Sequence, residues 1–288
     1  MTNRLKFRVL SFSLFMLVAA AIFDSCSKSE YSASGSEQQL SVYLTDHPAD
    51  FDKVLVQINL VEVKLDTSSH QSDDNYGNRD MDDDDHRKGH DEYGQWDTLK
   101  VNPGTYDLLT LRNGVDTLLA QGNIKGKARK IRITVGSVTV VKDSVSYPVN
   151  LLPGAQNYLY IKLHDDHIQR NGNVQQLWLD FDVSRSIVEL NGKYYLRPVL
   201  KPFCDKNSGE LEGRVGPADA SAIVKVYNAS DTATAIPDKK GEFRIRGLSE
   251  GEYTVLYDGS NGYQDTTIAN VKITKGRDTK LQAVALKK

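Results

Sequence analysis

The segment LWLDFDVSRSIVELNGKYYLRPVL, residues 177–200, carries two strands and a chain reversal in one line. Asn191-Gly192 separates two runs rich in β-branched and aromatic residues. Both central residues of a type I′ turn need φ > 0, which Asn and Gly adopt at least cost, so the segment predicts a hairpin of SIVEL against KYYL. Upstream, Leu177, Leu179, Phe181 and Val183 fall on one face of a strand, and Trp178, Asp180 and Asp182 on the other. Two carboxylates at i and i+2 on one strand face stand roughly 7 Å apart. They repel weakly and invite a cation or a cross-strand arginine between them. Asp180 and Asp182 are therefore candidate binding residues, with Lys130 and Arg132 of RKIRITV and Arg197 of the hairpin as candidate counter-ions.

The same grammar runs outward. LSVYLT, KVLVQINLVEVKL, SVTVV, NYLYIKL and their neighbours are short, β-branched and separated by turn residues. No stretch after the first 25 residues sustains a 3.6 period over three turns, and one helical turn is expected in TYDLLTLRNG, where Leu108, Leu109 and Leu111 cluster. The fold class predicted is all-β, with two β-sandwich domains.

LSVYLTDHPADFDKVLVQINLVEVKL, YDLLTLRNGVDTLLA, KIRITVG and LDFDVSRSIVELNGKYYLRPVL together resemble the bacterial lipoprotein family named domain of unknown function 4382, over about residues 39–202. That resemblance implies an exported β-rich domain and brings no established activity. After a linker at 203–208, the run from GELEGRVG to the end places turn signals every eight to twelve residues. In it Asp238 and Gly241 supply a turn, Phe243 and Ile245 face inward, and Tyr253 buries its ring with the hydroxyl reaching backbone. Residues 209–288 resemble the carboxypeptidase regulatory-like domain, which implies a prealbumin-like (transthyretin-type) Greek-key sandwich serving as an accessory module without catalytic residues.

The acidic stretch HQSDDNYGNRDMDDDDHRKGHDEYG interrupts the strands at about residues 70–94. Nine acids against three Lys or Arg repel one another, so it is expected to stay extended or disordered. Asp82, Asp83, Asp84, Asp85, His86 and His90 are candidate ligands for weak Ca2+ or transition-metal binding, although the EF-hand register is missing. His164 and His167, beside Asp165 and Asp166, read as a polar strand exit.

The chain opens MTNRLKFR, basic and free of acids, and continues with about 15 apolar or small residues before Cys26. FDSCSKSE resembles the cleavage and acylation site of bacterial lipoproteins of the Bacteroidetes type. Residues 1–25 are thus read as a lipoprotein signal peptide, Cys26 as the lipidated residue and 26–38 as a flexible tether. The partner implied is a membrane, through an N-terminal lipid whose several acyl chains anchor far better than one. The localisation implied is the cell envelope, at the outer membrane.

With Cys26 acylated, Cys204 stands alone, so no intramolecular disulfide is expected and Cys204 is read as a small filler at a domain junction. Net charge is −2 and pI ≈ 6.3, which leaves no global basic field for nucleic acid. The letters G-x-S-x-G occur at GLSEG, 247–251, but in a stretch read as a chain reversal between strands and not as a strand-to-helix elbow; no H-E-x-x-H, P-loop or C-x-x-C motif is present, and no enzyme activity or cofactor is expected beyond weak Ca2+ at the acidic stretch. The function expected is a non-catalytic binding module for a glycan, a protein partner or a divalent cation, and the alternative is a structural spacer or accessory subunit of an outer-membrane complex. Trp96, Trp178, Tyr194 and Tyr195 are the aromatic candidates for a binding face.

Overall fold

A computed structural model describes residues 37–47, 50–66, 95–102 and 104–288. Residues 1–25, read above as a signal peptide, Cys26 and the acidic stretch at 70–94 lie outside the described residues. Strand β1 (Gln38–His47) begins one residue inside the stretch read as tether. It is followed by β2 (Lys53–Asp66), β3 (Gln95–Val101), β4 (Thr105–Asp107), β5 (Thr117–Ile124), β6 (Lys127–Lys142), β7 (Val145–Leu151) and β8 (Tyr158–Lys162). Then come β9 (Gln169–Asn171), β10 (Val174–Asp182), β11 (Ile187–Leu190), β12 (Lys193–Leu196) and β13 (Leu200–Phe203). The expected turn at Leu108–Leu111 is a 3-10 helix that buries Leu108, Leu109 and Leu111.

These strands form one 13-stranded sheet whose main path runs β11-β12-β7-β6-β2-β3-β5-β1-β10-β13. Its pairs are antiparallel except β1 with β10 and β12 with β7. In a flat sheet β10 and β11, eight neighbour steps apart on that path, would stand roughly 38 Å from each other. One helical turn, Val183–Ser186, joins them and spans only about 6 Å. The sheet must therefore curl until its ends approach. A single core follows, in which Leu177, Leu179 and Phe181 of β10 share a cluster with Ile187, Tyr194 and Leu196 from the other end. The first half is thus one curled, half-barrel sheet closing on its own core, in keeping with the β-sandwich-like fold expected. The reversal expected at Asn191-Gly192 is present, with φ of 52° and 71°, and pairs Leu190 with Lys193.

The remaining strands are β14 (Gly209–Gly216), β15 (Ile223–Tyr227), β16 (Thr232–Ala235), β17 (Glu242–Leu248), β18 (Gly251–Asp258), β19 (Thr266–Ile273), β20 (Asp278–Lys280) and β21 (Val284–Ala285). They form two 4-stranded sheets, β17-β14-β20 with β21 beside β14, and β16-β15-β18-β19. Leu211, Val224, Phe243, Ile245, Tyr253 and Tyr257 share a second core. The Tyr253 hydroxyl donates to the Ser249 carbonyl at 3.0 Å, and Asp231 lies 3.1 Å from it. Burial opposes the charge on Asp231, yet Lys201 at 2.6 Å, the Ser249 N–H and the Tyr253 hydroxyl hold its carboxyl below the usual range.

Lys201 lies on β13, so its pair with Asp231 joins the two cores. The larger joint is Arg246 of β17. Its guanidinium donates to Asp116 at 2.8 Å and Asp205 at 2.7 Å, and it lies 5.4 Å from the ring of Trp178 and 5.7 Å from that of Phe203. Trp178 Nε1 donates to the same Asp116 oxygen at 2.8 Å, and Tyr43 stacks on Trp178 at 5.1 Å. Cys204 is buried beside these rings with its thiol on the Asp166 carbonyl, 3.2 Å away, and burial pushes that thiol up.

Two outcomes follow. Gly241 has φ +79°, and a Cβ there would stand 2.0 Å from the Val215 carbonyl oxygen. Gly241→Ala should cost about 2 kcal/mol or more from left-handed strain plus the clash; urea unfolding reads it, and a parent-like midpoint contradicts the turn. Arg246→Ala strands two acids and uncovers Trp178, so it should lower stability by about 2 kcal/mol, below the value for a fully buried pair because Asp205 is half exposed. The same unfolding curve measures it, and no loss contradicts the joint.

Candidate functional site

On the outer face of the curled sheet, the strand register lines up Thr98, Glu62, Arg132 and Tyr160 across β3, β2, β6 and β8. One pleat along, it lines up Trp96, Lys64, Lys130 and Lys162. Period-two alternation puts both rows on one surface, because the opposite residues Val61, Val63, Ile131, Ile133 and Ile161 enter the core. Arg132 is held by Glu62 through two bonds, Nε to Oε2 at 2.6 Å and Nη2 to Oε1 at 2.5 Å. Glu62, and after it Tyr160, raise the guanidinium above its ordinary value, so it stays charged. It lies 4.6 Å from the centre of the Trp96 ring and 6.0 Å from that of Tyr160.

Tyr160 in turn stands 5.8 Å from Trp96 and 5.3 Å from Tyr158. Tyr160 is 52% exposed and Tyr158 37%, among the most exposed large apolar residues described. The arrangement is three adjacent rings, two of them against a fixed cation, with three lysines directly opposite one another beside it. Like charges placed opposite across strands oppose one another, so the lysine row gathers positive charge beside the rings.

Of the four aromatics read from the sequence, only Trp96 joins this surface. Trp178 and Tyr194 are buried, the first under Arg246 and the second against Phe51 and Tyr147, and Tyr195 is half-buried at the hairpin. Tyr158, Tyr160 and Glu62 were not singled out, although the i, i+2 tyrosines of NYLYIKL carried a legible signal. Asp180 and Asp182 are brought to one strand face as expected, but that face is buried, and Arg132 pairs with Glu62. Asp182 instead caps the helical turn: it accepts from the Arg185 amide at 3.0 Å and the Ser184 hydroxyl at 2.7 Å, and pairs with the Arg185 side chain at 2.6 Å. A nearer donor three residues along outcompeted a cross-strand one.

The His164–His167 exit is internally closed. The His164 N–H donates to His167 Nδ1 at 3.2 Å, burial holds His167 below its usual value, and Asp165 pairs with Lys127 and with Arg170 at 3.1 Å. Among the described residues no group of three or more His, Cys, Asp or Glu could hold a metal ion, and no helix is long and apolar enough to cross a membrane. Asp82, Asp83, Asp84, Asp85, His86 and His90 lie outside the described residues, as does Cys26.

No curated protein matches the chain. Among solved structures, a type II cohesin–X-dockerin complex from Acetivibrio cellulolyticus is 26% identical over 27% of this chain and 56% of that one, with a TM-score of 0.23. This chain thus spans little more than half of that one. The minor pilin GBS52 of Streptococcus agalactiae is 16% identical over 87% of this chain and 96% of that one, at a TM-score of 0.22. The shaft pilin SpaA of Lactobacillus rhamnosus GG is 12% identical over 87% and 98%, again at 0.22. Likenesses at this level carry no argument about function. The family match is of another kind: it runs through residues 37–198, from the start of β1 past the Asn191-Gly192 hairpin, and by it the chain belongs to the family described as Domain of unknown function (DUF4382).

Proposed function

We propose that the chain is a non-catalytic, lipid-anchored envelope protein that binds an acidic glycan on the face formed by β3, β2, β6 and β8. The observation that carries this reading is the Trp96–Arg132–Tyr160–Tyr158 group, an aromatic row organised around a guanidinium that Glu62 fixes in place. A preorganised ring surface loses little side-chain freedom on binding, which is the costly part of recognising a flexible polymer. The lysine row Lys64, Lys130 and Lys162 adds the charge preference. In this reading Cys26 carries the lipid and places the protein at the outer membrane. Residues 209–288 serve as a prealbumin-type Greek-key accessory module joined to the binding domain.

Affinity gel electrophoresis against neutral and uronic-acid polysaccharides tests the site. The acidic polymers should retard the parent, and Tyr160→Ala should weaken that retardation about tenfold, the effect of losing roughly 1.4 kcal/mol of stacking, with no change in melting. Parent-like binding by Tyr160→Ala, or retardation by none of the polymers, contradicts the site. Recovery of stoichiometric envelope proteins in its place would favour the spacer reading. The anchor is tested separately: Cys26→Ser should abolish labelled palmitate incorporation and release the chain from membranes, and unchanged labelling contradicts lipidation.

A further inference from the structure

Strand β1 sends Leu40, Val42 and Leu44 into the first core, and the same period of two makes Asp46 the next in that row. Asp46 is 4% exposed, and neither of its carboxylate oxygens has a hydrogen-bond partner among the described residues. It borders a cavity of about 10 Å³ between the two cores, room for one water-sized occupant. Thr45, Asn113 and Asp180 share the first-half wall of that space, and Ala235, Arg244 and Arg246 form the wall from the second half.

The donors in those walls are engaged elsewhere. The Thr45 hydroxyl points at the carbonyls of Leu111 and Val115, 3.0 and 2.9 Å away. Asn113 donates its amide to the Ile236 carbonyl at 3.1 Å, and its own Oδ1 is buried without a partner. Arg244 is held by Glu210 at 2.5 Å and Glu212 at 3.3 Å, and Arg246 by Asp116 and Asp205. A charged Asp46 is therefore uncompensated where an unpaired carboxylate is costly. The neutral acid removes the charge and adds an O–H donor to a space rich in acceptors. Burial, then Asp180 and Asp182, push the carboxyl well above its usual range, against the pull of the Val183 N–H and Arg112.

We propose that Asp46 is a pH-sensitive latch on the joint: as the neutral acid it lets the second half close over β10, and its ionisation favours opening. The least motion that hydrates the carboxylate is withdrawal of the second-half wall, because the remaining neighbours belong to the first core. The ion pairs that oppose this withdrawal are partly exposed and hold weakly, Lys201 with Asp231 and Arg246 with Asp205. Opening bares the side of β10 that carries Trp178. The charged groups on the surrounding elements are Asp180 and Asp182 of β10, Lys201 of β13, Arg112 and Asp116 after the 3-10 helix, Arg185 of the helical turn, and Arg244 and Arg246 of β17.

The sign follows from the two forms. In the open form Asp46 meets water and titrates near 3.9; in the closed form its value is raised. Its contribution to closure is full below about 3.9 and is lost as pH rises through the closed value, so the open fraction grows by about tenfold per pH unit between them. Amide hydrogen exchange of the full chain in detergent, read by mass spectrometry against Asp46→Asn, measures such rare openings. Asn matches the shape and carries no charge at any pH, so taking the ratio of parent to variant cancels the intrinsic pH dependence of exchange. That ratio should climb with pH over Trp178–Asp182 and Leu200–Phe203 and stay level over Val54–Val63. A level ratio over β10 and β13 overturns the proposal. So does an equal climb over Val54–Val63, which would mean global unfolding rather than an opening joint. The parent alone gives a second reading: with 13C-labelled aspartate, its infrared spectrum at pH 5.5 should hold the C=O band of a buried un-ionised carboxyl, and loss of that band at higher pH should accompany opening. Absence of the band overturns the latch.

Discussion

Arg246 is a cation clasped by Asp116 and Asp205 and laid against Trp178 and Phe203. The covering of β10 depends on it. A strand bearing Trp178, Asp180 and Asp182 on one face reads as solvated on that side, and burying such a face without partners would cost several kcal/mol. Asp116 and Arg185 supply hydrogen-bond partners from the first half, and the second half supplies the cover, Arg246 against Trp178. Burial weakens the charge on Arg246, but Asp116 and Asp205 more than offset that and hold it protonated. One guanidinium thereby satisfies two acids and shields an indole. Lys201 and Asp231 repeat the principle at a second point of the joint.

A separate constraint shapes the first half. A four-residue helical turn links strands that the sheet order places far apart, so the sheet has no choice but to curl. Curling presents one face inward as a continuous apolar core and the other outward, where the register sets Arg132 beside Tyr160 and across from Glu62. The aromatic and basic surface is thus a by-product of alternation on strands whose inner residues were fixed by packing.

Local features of this fold were legible in the sequence because local chemistry decides them. Asn191-Gly192 makes its turn wherever it stands, Leu108–Leu111 forms its helical turn, and Phe243 and Ile245 point inward by alternation. What escaped reading was set by pairing between distant segments. Asp46 gives no pattern of its own; the parallel match of β1 to β10, which puts Thr45 opposite Asp180, isolates it. Tyr160 gained its setting from the antiparallel match of β6 and β8. Asp182 illustrates the reverse error, since a cross-strand partner was expected and the helical turn beside it offered Arg185 first.

The claim that the second half covers the polar face of β10 can be read from one side chain. The chain contains two tryptophans, so a Trp96→Phe variant leaves Trp178 as the sole indole emitter. The account predicts emission from a buried indole, shielded from acrylamide and iodide until the chain unfolds. Emission at the wavelength of a hydrated indole, quenched as readily as free tryptophan in the native protein, would contradict it.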